Sequence, residues 1–230
     1  MNTASWGPDG WKLLHSIAYC YTFEKNEEEN QIYKRFFNAI QHLLPCVYCR
    51  RSYAKYMKEI PINGYLYTSS THPKRNLFYH LYLIHNKVNA KLRNQGYNDK
   101  PDPSYKEVLI QYRSFVKKIN CIVGWHFLYC MIFNYPEKGT DCSKRRKQAY
   151  INFFECLAYL LPCHRIREKY RVYVEKNPIS ECMGSREELK KWLHRLERKI
   201  RGEKCKPYKV RCETVEKCRV SKCDGQTCRK

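Results

Sequence analysis

At 230 residues, the chain is long enough for one large or two small domains that each bury a core, which excludes a mini-protein stapled by disulfides. Apolar residues make up 43% and aromatics 14% of it, which excludes a disordered chain, and no run of about 18 apolar residues offers a membrane-spanning helix. The formal charge is +22, and residues 1–72 are nearly neutral with 8 basic and 6 acidic side chains. The surplus beyond residue 72 therefore suits nucleic acid, an acidic partner or anionic lipid, or serves only as a solvated shell.

Near the N-terminus, Trp11, Leu14, His15, Ala18 and Tyr19 fall at helical spacing behind Pro8, which suits an early helical position. Ile32, Phe36, Ile40, Leu43 and Leu44 repeat that period. Pro45 then suits the first turn of a short helix running through Tyr53 and Tyr56, and Leu77, Leu81, Ile84, His85, Val88, Asn89 and Leu92 form another stripe. No alternating β-branched run of useful length occurs, so an all-α fold is expected.

Sliding the chain by 117 residues lays Tyr33–Ile62 on Tyr150–Ile179 without a gap, with 12 identities in 30 positions, including Phe-Phe, Leu-Leu-Pro-Cys and Pro-Ile. Trp11-Lys-Leu-Leu-His15 has a weaker echo in Trp125-His-Phe-Leu-Tyr129, and Leu77–Val88 can be laid on Leu189–Ile200. This is a tandem duplication of a unit of roughly 110 residues. Two linked bundles of four or five helices follow, over 1–112 and 113–203, with a basic tail at 204–230 holding Cys205, Cys212, Cys218, Cys223 and Cys228.

Fourteen cysteines without a visible secretory signal point to metal binding, redox chemistry or a compartment that the protein itself makes oxidising. Cys46-Val47-Tyr48-Cys49 is the only Cys-x-x-Cys, at a helix start where free N–H groups stabilise a thiolate. Such a pair suits a redox disulfide, or half of a zinc site. The second copy keeps Cys163 but has Ile166 in place of the second cysteine. A structural zinc would be missed there, whereas a catalytic pair can be lost while the scaffold is kept, so the first copy's dithiol is expected to be chemical. A dithiol that forms disulfides needs an electron sink. Trp11 with His15, and His85, Asn86, Asn89 and Leu92, could grip a flat ligand between rings and polar donors, or be ordinary core and capped-helix residues.

Together, Trp6-Gly7 with Gly10-Trp11-x-x-Leu14-His15, then Leu44-Pro45-Cys46-x-x-Cys49, then His85-Asn86-x-Val88-Asn89-x-x-Leu92 resemble the Erv/ALR family of FAD-dependent sulfhydryl oxidases, over about residues 5–110. The resemblance implies a helical bundle enclosing FAD, with Cys46 as the exposed sulfur that exchanges with substrate and Cys49 facing the flavin. It implies FAD contacts from Trp11, His15, Tyr19, His85, Asn86, Val88, Asn89 and Lys91, and no metal. It implies a thiol oxidase that takes electrons from protein dithiols, or from a thioredoxin-like relay protein, and gives them to O2 as hydrogen peroxide. Two departures stand out: the family's Trp-Leu-Cys is His80-Leu81-Tyr82, and its aromatic-x-Cys is Tyr105-Lys106-Glu107, so the disulfide joining these segments is expected to be absent. An insertion between Leu92 and Pro103 lengthens the loop near the expected adenine end.

In the second copy, Tyr129 replaces His15, and Glu197 and Arg198 fall where His85 and Asn86 would be, so that copy is expected to bind no flavin. It is expected to take the place of a family dimer's partner, giving an intrachain pseudo-dimer, with a homodimer as the alternative. The tail cysteines are candidates for a mobile dithiol shuttle, but none of them forms Cys-x-x-Cys, which favours structural disulfides or an unordered tail instead. The setting expected is the cytoplasm or virion of a large DNA virus, with the mitochondrial intermembrane space as the alternative. A rival reading is a zinc-stabilised basic protein that binds nucleic acid, using Cys46, Cys49 and the tail cysteines as ligands.

Overall fold

A computed structural model describes residues 2–22, 26–66, 76–97, 99–119, 122–137 and 144–218. The described residues form helices and connections only, without a strand. The first unit holds α1 (Thr3–Tyr19), α2 (Glu27–Leu43), α3 (Val47–Glu59), α4 (Leu77–Asn94) and α5 (Tyr105–Lys117). The second holds α6 (Trp125–Phe133), α7 (Lys144–Leu160), α8 (His164–Lys176), α9 (Arg186–Arg201) and α10 (Tyr208–Lys217).

Local sequence sets the starts of these helices. Asn26 accepts from the Glu29 N–H while Glu29 reaches back, a reciprocal cap on α2, and Ser104 with Glu107 repeats it on α5. α1 starts earlier than Pro8 suggests: Asn2 accepts from the Ala4 N–H, and Pro8 lies inside the helix. Cys46 occupies the N-cap of α3, so Pro45 stands just outside the helix.

The 117-residue register recurs residue for residue in three dimensions. α2, α3 and the 3₁₀ turn Ile62–Tyr65 map onto α7, α8 and the 3₁₀ turn Ile179–Cys182. Tyr53 donates to the Phe37 carbonyl at 3.2 Å, and Tyr170 to the Phe154 carbonyl at 2.8 Å. Arg50 donates to the Leu44 carbonyl and Arg167 to that of Leu161. These anchors tie each short helix to the long one before it.

The long helices α2 and α7 join the units, and Phe36 stacks on Phe153 at 4.7 Å and 19°. These residues occupy the same position in each copy, so the contact is self-complementary, as across a two-fold axis. Both rings are fully buried. A second seam brings α1 against α6. Gly124 adopts φ +86°, and a Cβ there would meet the Asp9 carbonyl at 3.0 Å and Leu13 at 3.1 Å, so glycine is required.

From residue 204, the segment read from sequence as a tail contains α10. Val215 is fully buried and Arg211 is 6% exposed, which makes α10 the fifth helix of the second unit. Its few apolar residues hide the period, because one buried valine and one buried arginine hold it. Cys223 and Cys228 lie outside the described residues.

Candidate active site

Helices α1 to α5, together with α6 of the second unit, line a cavity of about 590 Å³. Cys46 and Cys49 lie in its wall with Trp11, His15, His85, Asn86, Val88, Asn89 and Lys91. Tyr19 does not: as the last residue of α1 it turns its ring edge onto Phe78 at 5.6 Å.

Cys46 Sγ accepts from the Cys49 N–H at 3.2 Å, the cap that one turn of helix offers a side chain at its start. The Cys49 thiol, then burial acting the other way, then the Cys49 and Tyr48 N–H groups act on Cys46, and the net effect lowers its pKa to about 6. Cys49 is pushed up by its hydrogen bond to Cys46 and by burial, while Lys91 acts in the opposite sense. In the reduced pair the negative charge therefore sits on Cys46. The expectation that Cys46 is the exposed sulfur needs correction. Cys46 is 1% exposed, and Cys49 is the half-buried one. The N-cap position tucks Cys46 under the helix start, and both cysteines line the cavity.

His85 does not form one jaw of a clamp with Trp11. Their rings stack directly on each other at 3.8 Å and 12°, which leaves no space for a ring between them, so the two make one continuous wall. His15 Nε2 lies 3.1 Å from His85 Nδ1. Burial, more than the neighbouring imidazole, lowers His15 well below the usual range, and burial brings His85 to about 4, so both are neutral. His15 Nδ1 is buried without a partner. Donation from His15 Nε2–H to His85 Nδ1 leaves that orphan as an acceptor and puts the His85 proton on Nε2. Trp6 Nε1 and Gln95 Oε1, also on lining residues, are buried and unpaired.

The inserted loop folds back on α4. Asp102 accepts from Asn89 Nδ2 at 2.8 Å and pairs with both Arg93 nitrogens at 3.0 and 2.7 Å, and Tyr82 donates to the Pro103 carbonyl at 3.0 Å. Lys91 Nζ donates to Ser52 Oγ at 2.9 Å. Where the two expected departures meet, Tyr82 packs on Tyr105 at 5.5 Å and 64°. At the matching place in the second unit, His194 packs on Tyr208 at 5.2 Å and 64°. A ring pair thus joins the fourth and fifth helices of each unit, and the described cysteines are free thiols.

Sequence reasoning missed Gln95, Tyr112 and Phe127 as wall residues. Tyr112 could have been read from an apolar stripe on α5. Phe127 could not, because it comes from the second unit, stacking on Trp6 at 5.7 Å. Of the tail cysteines expected to join Cys46 and Cys49 around zinc, the described ones lie elsewhere. Cys205 sits by His194 and Cys218 by His126, and among the described residues no three His, Cys, Asp or Glu side chains converge as a metal site. No described helix is long and apolar enough to cross a membrane.

In the second unit the corresponding volume is filled. Glu197, fully buried, takes hydrogen bonds from Arg211 Nε at 3.2 Å and from its Nη2, and from Arg201 at 3.2 Å. The Arg211 guanidinium lies 5.0 Å over the Tyr129 ring. Burial, and then Glu197, push the Tyr129 phenol upward.

The Erv1/Alr family model matches residues 8–113 and again 123–220. A probable FAD-linked sulfhydryl oxidase of Acanthamoeba polyphaga mimivirus is 34% identical over 89 residues, 39% of this chain and 59% of the relative. The mitochondrial FAD-linked sulfhydryl oxidase of Saccharomyces cerevisiae is 31% identical over 87 residues, 38% of this chain and 42% of the relative. A protein of Invertebrate iridescent virus 3 with the same activity in its name is 29% identical over 108 residues, 47% of this chain and 66% of the relative. The chain thus spans about half the length of the first two. No solved structure gives a significant match. Since the two family matches together take in most of its residues, the chain belongs to the Erv1/Alr family.

Proposed function

We propose that the chain is an FAD-linked thiol oxidase that forms disulfide bonds in protein substrates and reduces O2 to hydrogen peroxide. One observation carries this reading: a dithiol with its charge on Cys46 lies in the wall of the cavity lined by Trp11, His15, His85 and Asn89. The names of the three relatives support it.

The residues present fit FAD. The cavity falls in the size range of ligand sites, one side is an aromatic slab, and the orphaned His15 Nδ1, Trp6 Nε1 and Gln95 Oε1 await polar partners. Trp11, His15, His85, Asn86, Val88, Asn89 and Lys91 would hold the group. Bound FAD would supply a two-electron acceptor that O2 can reoxidise.

The chain's own chemistry is thiol exchange. A substrate thiolate attacks Cys46 of the Cys46–Cys49 disulfide, for which the start of α3 has to open around that buried sulfur, and Cys49 leaves as thiolate. A second substrate thiolate then attacks the substrate sulfur of the mixed disulfide. Cys46 leaves, favoured by its low pKa, so two substrate thiols become one disulfide and both cysteines are reduced. Lys91, which favours ionised Cys49, helps that sulfur lose its proton when the pair closes again. Neutral His15 and His85 add no charge to that of Lys91 in the cavity wall.

The stacked Phe36 and Phe153 support a second reading at the level of assembly: the second unit serves as the partner of a pseudo-dimer within a monomer. Relatives from large DNA viruses favour the cytoplasm of an infected cell, or the virion, as the setting. The purified protein should be yellow, with absorbance at about 450 nm, and should consume O2 with dithiothreitol. A colourless, inactive protein after refolding with excess FAD would overturn the reading, and a stable dimer in light scattering would overturn the pseudo-dimer.

A further inference from the structure

A second group of nucleophilic side chains lies where α10 and α6 meet the first turn of α1. Cys218 Sγ is 2.9 Å from Ser5 Oγ and 3.8 Å from His126 Nε2. Ser5 Oγ is itself 2.7 Å from that nitrogen. Cys130, one turn along α6 from His126, places its Sγ 3.6 Å from the same atom. Two thiols therefore share one imidazole nitrogen, although their positions are 88 residues apart in the chain. The Asn2 N–H donates to the Cys218 carbonyl at 3.0 Å, so the end of α10 also carries the start of α1. Residues Thr3, Ala4 and Trp6 of that start belong to the cavity wall. Thiol exchange at Cys46 and Cys49 uses none of these groups.

We propose that Cys130 and Cys218 are a second redox couple, oxidised by disulfide exchange to a bond that latches α10 onto α6 beneath the first turn of α1. The oxidant is a disulfide of the glutathione class. Cys218 is the half-buried thiol and Cys130 the fully buried one, so Cys218 reacts first. His126 Nε2 takes its proton, and the Cys218 thiolate attacks the incoming disulfide and expels one thiolate. Cys130, losing its proton to the same imidazole after that has passed the first to solvent, attacks the Cys218 sulfur and expels the second. Two protein thiols and one disulfide become one protein disulfide and two thiols, and no electrons leave the exchange. His126 is a positioning and proton-accepting residue here, its pKa lowered by burial, with Asp9 acting against that and Arg211 with it. Burial pushes the Cys130 thiol up, so the second attack is the slow step.

The test uses the full chain carrying Cys46→Ser and Cys49→Ser, so that its result does not depend on the oxidase reading. After equilibration with oxidised and reduced glutathione, free thiols are alkylated and the unreduced digest is read by mass spectrometry. The expected result is a peptide pair joined through Cys130 and Cys218, with Tm higher in the oxidised form by on the order of 10 °C. Cys130→Ser and Cys218→Ser should each abolish both signals. His126→Gln should slow closure about tenfold while leaving its final extent unchanged. Full alkylation of both cysteines in oxidising buffer would overturn the proposal. So would Cys218 paired with another cysteine, or one tightly held zinc that protects the two thiols.

Discussion

In the first unit, His15 on α1 meets His85 on α4 at 3.1 Å beside an open cavity. In the second, Tyr129 and Glu197 stand at the same places, and Arg211 closes over them. The surrounding scaffold is unchanged: the tyrosine anchors, the arginine anchors and the ring pair between the last two helices all recur. The difference teaches that scaffold and site are separable in this fold. Exchanging neutral rings for a buried ion pair and a phenol turns a binding cavity into a core, without moving a helix boundary in the α2–α3 and α7–α8 segments.

The sharpest way to break that comparison is to remove a sulfur from each unit. Cys46→Ala or Cys49→Ala should lower thiol-dependent O2 consumption by about 10³-fold or more, since both sulfurs act as one device. Cys163→Ala, at the position of Cys46 in the second unit, should leave it unchanged. An effect of Cys163→Ala on turnover comparable to either would mean that the second unit is more than scaffold.

Glu197→Ala asks what the filled cavity contributes. Arg211, 6% exposed, would be left buried without its counter-charge, at a cost of roughly 3–5 kcal/mol. In a chain of this size, that lowers Tm by on the order of 10 °C in a calorimetric scan. Retention of flavin at temperatures below the transition should be unaffected, since Glu197 lies outside the cavity wall.

Acid should strike the first unit harder. His80 and His85 are both lowered to about 4, chiefly by burial. An unfolded histidine titrates near 6.5, so between pH 6.5 and 4 the unfolded chain binds more protons and stability falls as pH falls. The contribution is complete above pH 6.5 and lost by about pH 4, and amounts to roughly 3 kcal/mol for each group. In the second unit, Trp192 does the work of His80 without titrating: its indole N–H donates to the Asn177 carbonyl at 2.8 Å, as His80 does to the Ile60 carbonyl at 2.9 Å. His80→Trp should therefore flatten the dependence of urea-unfolding free energy on pH over that window. The slope is the readout, because the larger ring also overpacks a fully buried position.

The symmetry behind these predictions was partly legible in the sequence. An ungapped register, with Phe-Phe and Leu-Leu-Pro-Cys preserved, was enough to place α7 and α8, because those residues make the same contacts twice. The loose match of Leu77–Val88 to Leu189–Ile200 carried few identities, yet it pairs His80 with Trp192, as their shared hydrogen bond requires, and in the same register His85 with Glu197. Three things were out of reach. α10 hides its period because a buried arginine does the work of an apolar residue. The direct stack of Trp11 on His85 depends on where α1 and α4 cross. The burial of Cys46 depends on which side of a helix start faces the cavity, which spacing alone does not fix.

The smallest expected effect lies on the seam between α1 and α6, at two glycines of the same helix. A Cβ at Gly10 would meet the Phe127 ring at 3.1–3.3 Å, while one at Gly7 meets nothing within 4 Å. Replacing glycine by alanine inside a helix gains roughly 0.5–1 kcal/mol in conformational terms. Gly7→Ala should therefore stabilise the protein by about that amount in urea unfolding. Gly10→Ala should lose the same gain to overpacking against Phe127, a cost of about 1–3 kcal/mol, and end neutral or destabilised. Because Gly7, Gly10 and Phe127 all line the cavity, flavin content measured on the same samples separates two explanations. If Gly7→Ala raises Tm in the flavin-free protein but lowers flavin occupancy, the empty space at Gly7 is where the ligand lies. If occupancy falls only in Gly10→Ala, the second unit acts on the site through Phe127.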